Sequence, residues 1–148
     1  MSYSPNFRGN QSNASSRQLI TDYVNGSGAA IPQGTPVTVN SIGQILPVDV
    51  TSESSVSGMV GYAYVRIPAS ASGPVISAGR LENIITGFSV GDPIYIGLSG
   101  TLINQKPDDG IAGFGPGDFV VFVGVLVQNE FNPAQTDLQL FTQVVGEL

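Results

Sequence analysis

The sequence predicts an all-β protein, a compact β-barrel or sandwich of about eight to ten short strands. Three observations carry that expectation. β-Branched and aromatic residues fall in short runs broken by Gly, Pro, Asn and Ser. The runs recur at a spacing of roughly ten residues, as in sandwiches and barrels. No window of about 11 positions holds the 3.6-residue apolar period of an amphipathic helix.

In chain order, residues 1–18 (MSYSPNFRGNQSNASSRQ) are polar and carry no period that could bury a face. They read as an extended N-terminal arm, ordered only against a neighbour if at all. Tyr3, Phe7, Arg8 and Arg17 are its candidate partner-binding residues. A single β-domain is expected over 19–148. Its candidate strands are LITDYV (19–24), TPVTVN (35–40), QILPVDV (44–50) and GMVGYAYVRI (58–67). GPVISA (73–78), RLENIIT (80–86), DPIYIG (92–97) and TLINQ (101–105) follow. The last two are the long apolar runs DFVVFVGVLVQN (118–129) and TDLQLFTQVV (136–145). Each is bounded on at least one side by Gly, Pro, Asn or Ser, residues that turn a chain.

Self-comparison reveals two related hairpin units. GTPVTVNSIGQIL (34–46) lies over GDPIYIGLSGTLI (91–103) without a gap. Gly34 falls on Gly91, Pro36 on Pro93, Gly43 on Gly100 and Ile45 on Leu102. Further on, MVGYAYV (59–65) matches FVGVLVQ (122–128), with Gly61 on Gly124. The offset grows from 57 to 63 residues between these matches, which places extra residues in the QKPDDGIAGFGPG loop. Proline opening a strand removes no ladder bond the strand needs. Glycine in a tight turn supplies positive φ, and glycine inside a long strand marks a bulge or a close backbone approach.

Composition narrows the chemistry. The 148 residues include no Cys, His or Trp. No disulfide or thiol chemistry is available, and the commonest general base and transition-metal ligand are missing. Only 11% of residues are charged, and the net charge is −6. Five scattered basic residues make a poor nucleic-acid or membrane surface. No apolar run is long enough for a spanning helix. The N-terminus lacks the charged start and apolar core of a signal peptide, so synthesis in a cytoplasm is expected. A sparsely charged polar surface suits packing against other subunits.

The acidic residues invite a catalytic or metal reading, which the pattern disfavours. Asp92 and Asp118 each follow a glycine (Gly91, Gly117) just before a strand. Thr35 occupies the place of Asp92 in the first unit. Asp and Thr share a short oxygen that accepts a hydrogen bond from a turn amide, whereas a catalytic acid would not survive that exchange. Gly34, Pro36, Gly43, Gly91, Asp92, Pro93, Gly100, Gly117 and Asp118 are therefore read as structural turn residues. Asp108 and Asp109 sit in a Pro-Asp-Asp-Gly turn whose spacing lacks the alternating oxygens of a calcium loop. No Gly-rich phosphate loop is present, and a Ser-His-Asp triad is impossible in its usual form. No catalytic, cofactor-binding or metal residue is assigned, and no enzyme is expected. Tyr62 and Tyr64 are expected to line one face as core or subunit interface. Arg66 and Arg80 flank a small-residue stretch read as an exposed loop and edge, suited to intersubunit pairs.

The order of these signals resembles the capsid decoration and head-fibre β-barrel proteins of tailed bacteriophages. The matching pieces are IPQGTPVTVNSIGQILPVD, GRLENIITGFSVGDPIYIGLSGTLINQKP, GFGPGDFVVFVGVLVQN and DLQLFTQVVGEL. The resemblance covers roughly residues 28–148 and leaves the arm unmatched. The resemblance implies a non-enzymatic virion component without cofactor, a homo-oligomer and often a trimer, bound to the major capsid protein or another virion protein on the capsid surface. Similar turn motifs occur in tail, collar and baseplate domains, which stand as alternatives. A carbohydrate-binding module for host recognition is a third.

Overall fold

The computed structural model describes residues 18–84 and 87–148. Most of the expected arm, including Tyr3, Phe7, Arg8 and Arg17, lies outside the described residues. The elements are β1 (Leu19–Val24), β2 (Pro36–Val39), β3 (Ile45–Pro47), α1 (Glu53–Ser57) and β4 (Met59–Ala63). They continue with β5 (Ser72–Ala78), β6 (Arg80–Leu81), β7 (Pro93–Ile96), β8 (Leu102–Ile103), β9 (Phe119–Gln128) and β10 (Thr136–Glu147). Two five-stranded antiparallel sheets form a sandwich-like domain, in the orders β1-β5-β4-β2-β3 and β6-β10-β9-β7-β8. The all-β class and the two hairpin units expected from sequence are both present.

The second order is the first shifted by five strands, and the agreement extends to single residues. Opposite β4, Pro36 faces Tyr62, Val37 faces Gly61 and Thr38 faces Met59, with a bulge between Val37 and Thr38. Opposite β9, Pro93 faces Val125, Ile94 faces Gly124 and Tyr95 faces Phe122, with a bulge between Ile94 and Tyr95. The two bulges coincide under the sequence match. Gly34 N donates to Ala63 O at 2.8 Å, and Gly91 N donates to Leu126 O at 2.7 Å. The reason for glycine in the two long strands is close approach. A Cβ at Gly61 would stand 2.3 Å from Ile76 O, and one at Gly124 would stand 1.9 Å from Gln139 O. No side chain fits there without moving the neighbouring strand.

Alternation then sorts the side chains. Tyr62 and Ile76 enter the main core with Val48, Val50, Ile96, Val121, Val123 and Leu140. Their neighbours Ala63 and Val75 enter a second cluster with Ile31, Val37, Ile45 and Ile67. Burying each Val, Leu or Ile stabilises by about 1.5–3 kcal/mol relative to exposure. The first sheet curls until its ends meet: Asn25, just past β1, bridges Ile45 of β3, and Gly26 N donates to Ile45 O at 3.0 Å.

Several boundaries differ from the sequence expectation. The expected strand at 80–86 is paired only at Arg80 and Leu81, and positions 85 and 86 lie outside the described residues. The expected strand at 44–50 ends at Pro47, and that at 58–67 ends at Ala63. After Ala63, the chain leaves the ladder to cover the smaller cluster with Ile67. The one-turn helix α1 is absent from the sequence expectation. At five residues it is too short to show a period. Ser52 caps it by accepting from Ser55 N, and Val56 is its buried residue.

Candidate functional site

Three turns of one design deliver the chain to β2, β7 and β9. In each, the fourth residue's amide donates to the first residue's carbonyl: Thr35 to Pro32 at 3.2 Å, Asp92 to Ser89 at 3.0 Å and Asp118 to Gly115 at 3.2 Å. The third residue is Gly34, Gly91 or Gly117, with φ of 83°, 93° and 92°. Positive φ at that position is what a type II turn requires. The carboxylates close the turns. Asp92 Oδ2 accepts from Ser89 N at 3.0 Å and from Asn104 Nδ2 at 3.1 Å. Asp118 Oδ2 accepts from Gly115 N at 2.9 Å. The amide of Ser89 holds the Asp92 carboxyl below its ordinary range, and the Asn104 side chain adds to the effect. Both groups favour the ionised form by donating to it.

Pro36 and Pro93 open β2 and β7, as their place in the ladder allows. Gly43 and Gly100 form the hairpin tips, donating to Asn40 O and Gly97 O at 3.1 Å each. Asp108 Oδ1 accepts from Asp109 N at 2.8 Å within their own turn. Among the described residues no group of three or more Asp or Glu side chains is placed to hold a metal ion. Asp92 and Asp118 each accept from an amide of their own turn, and Asp108 from that of Asp109.

A buried polar cluster was not visible in the sequence. Asp137 on β10 is fully buried. It accepts from Asn83 N and from Asn129 Nδ2, both at 2.9 Å, and Arg80 Nη1 lies 3.7 Å away. Asn129 Oδ1 accepts in turn from Phe131 N and Asn132 N, fixing the loop between β9 and β10. Glu82 Oε1 approaches Asn129 Nδ2 at 3.4 Å. Two carboxylates thus share one amide, yet Asp137 is shut off from solvent and held by donors. The arrangement fixes a loop and offers no open face to a substrate. Arg80 lies on the outer strand β6, and its side chain turns to Gln139 and Asp137 of its own molecule. The small-residue stretch before it, expected to be an edge, is instead paired on both sides, because β5 lies between β1 and β4. The missed signal was Asp137 itself, a charged residue in an apolar strand. Only pairing to buried donors tolerates that.

Asn25 has the corresponding task in the first half. Its Nδ2 donates to Ala29 O at 2.7 Å and Ile67 O at 3.0 Å, and its Oδ1 accepts from Ser27 N at 2.9 Å. Tyr62 and Tyr64 behave differently from each other. Tyr62 is fully buried and shares a 2.7 Å hydrogen bond with Thr142 Oγ1 across the two sheets. Burial pushes its phenol above the ordinary range, partly offset by that bond. Tyr64 is half-buried, with its hydroxyl 3.4 Å from Gln18 Oε1.

The surface depressions are small. One of about 240 Å³ lies between Pro32–Thr35 and Ile84, Phe88 and Leu102, with no acid or base in its lining. Another, of about 350 Å³, brings Lys106, Asp108 and Glu147 around Leu148. Small-molecule sites span about 300–1,000 Å³ and bury most of their ligand, so the first falls below that range and the second stands at its lower end. No helix among the described residues is long and apolar enough to cross a membrane. No protein-family model matches the chain, and no curated protein matches it.

Proposed function

We propose that this protein is a structural, non-enzymatic virion component of a tailed phage, a self-associating β-domain that decorates or stabilises the capsid. The observation that carries the self-association is the run of exposed apolar side chains on two strands. Leu19, Ile20 and Val24 are exposed on β1, and Phe141 on β10. In a chain with 11% charged residues, such surfaces favour burial against further protein. The duplicated scaffold supports the same reading. Its conspicuous acids serve turns, and its buried carboxylate serves a loop. The virion assignment rests on the resemblance of residues 28–148 to decoration and head-fibre domains.

Purified protein added to phage shells that lack it should bind in many symmetric copies when imaged. A few copies at one vertex or on the tail would instead favour an adaptor role. Absence of binding to shells and tails alike would overturn the proposal.

A further inference from the structure

A groove of about 280 Å³ separates the second half of β10 from β4 and α1. It is lined by Val56, Met59, Val60, Ser77, Thr142 and Val144. Its β10 wall is unusual. Residues 141–147 are all exposed, and β9 pairs with only one of their edges. On the other edge β6 covers only Leu138 and Gln139, and Gly79 O accepts from Leu140 N. Beyond that point no described strand pairs with the edge. An unpaired edge beside exposed Val144 and Val145 invites an added strand.

The N-terminal segment begins at this groove. Ser77, one of the groove residues, donates its hydroxyl to Leu19 O at 3.4 Å. Gln18 Nε2 donates to Arg80 O at 2.7 Å, opposite Gln139 on β10. Residues 1–17 therefore attach next to the place where β10 loses its partner. An extended chain of that length reaches about 56 Å, against about 23 Å for the free edge.

The segment carries Arg8 and Arg17 and no acid. The groove itself is lined by uncharged residues, and Glu53 opens α1, whose Val56 forms part of the wall. Tyr3 and Phe7 are the aromatic side chains of the segment.

We propose that residues 1–17 dock in this groove of their own molecule, adding main-chain contacts to the free edge of β10 and an aromatic side chain to the Met59–Val144 depression. The cysteine-free chain allows a clean test. A nitroxide on a Ser12→Cys variant should broaden the methyl resonances of Met59 and Val144, and the broadening should survive dilution. Removal of residues 1–17 should speed amide exchange over 141–147 by about tenfold or more. Val144 is half exposed, so a Val144→Glu variant should fold and should lose the broadening. Unbroadened methyls in the labelled protein would overturn the proposal. So would broadening that arises only when labelled and isotope-enriched chains are mixed, since a neighbour's segment would then fill the groove. Persistence of the effect in the Val144→Glu variant would overturn the assignment to this groove.

Discussion

The two sheets share a strand order, a bulge and a turn, yet they reach stability by different side chains. Position 137 of the second sheet holds a buried aspartate, and the matching position of the first holds Pro74. Both stand in the same register, because Val75 and Leu138 pair with Ala63 and Leu126 at matching positions. The first half closes its loop with Asn25 and an apolar cluster. The second fixes its loop with Asp137, Asn129 and Arg80. The difference separates what the fold demands from what it tolerates. Glycine at the bulge is demanded in both halves. The chemistry of the loop anchor is free to vary as long as the anchor's own buried polar atoms find partners.

The strongest way to break the correspondence is at the bulge glycines. Gly124→Ala should cost about 4 kcal/mol, and Gly61→Ala somewhat less, because the carbonyl lies closer at Gly124. Urea denaturation of both variants checks the order. Equal and small losses would mean that the strands separate easily and the match at the bulge is incidental. Next in size is Asp137→Ala, which strands the Asn83 amide and the Asn129 side chain. A loss of about 3 kcal/mol is expected by the same measurement, with faster proteolysis of the 129–136 loop. Tyr62→Phe removes the bond to Thr142 that ties the sheets together, and should cost about 1 kcal/mol.

The lightest test exchanges the turn residues. Asp92 has a folded pKa below its ordinary value of 3.8. A depressed folded pKa contributes stability above the unfolded value, and that contribution is lost as pH falls through the folded pKa. Asp92→Asn keeps an accepting oxygen but cannot ionise. Its stability deficit relative to the parent should therefore shrink as pH drops below about 4. Thermal melts at several pH values read this directly. A deficit that stays constant through acidification would show that ionisation of Asp92 contributes nothing to the turn.

Much of the fold was legible because its signals are local. Alternation and punctuation located ten strands, and the match of Gly34–Pro36 with Gly91–Pro93 located the two hairpins. The bulge glycines were visible for the same reason, since glycine weakens a run of Val and Phe unless a neighbouring backbone comes too close for a side chain. The helix α1 was hidden by its length. The end of β4 was hidden because Val65 and Ile67 continue a strand-like pattern after the ladder has ended. Asp137 and Asn129 were hidden because their partnership depends on β6, β9 and β10 meeting in space. The pairing of Arg80 with Asp137 was hidden for that reason too. The two residues lie 57 positions apart in the chain.

Self-assembly through the exposed apolar strands is the property on which the proposed role depends. Light scattering on the purified full chain measures it. A defined oligomer is expected, a trimer at three times the 15.3 kDa chain mass, and it should hold on dilution. Dissociation should follow when Leu19 and Phe141 are replaced by polar residues. A monomer of 15.3 kDa at every concentration would rule out self-assembly and the proposed role with it.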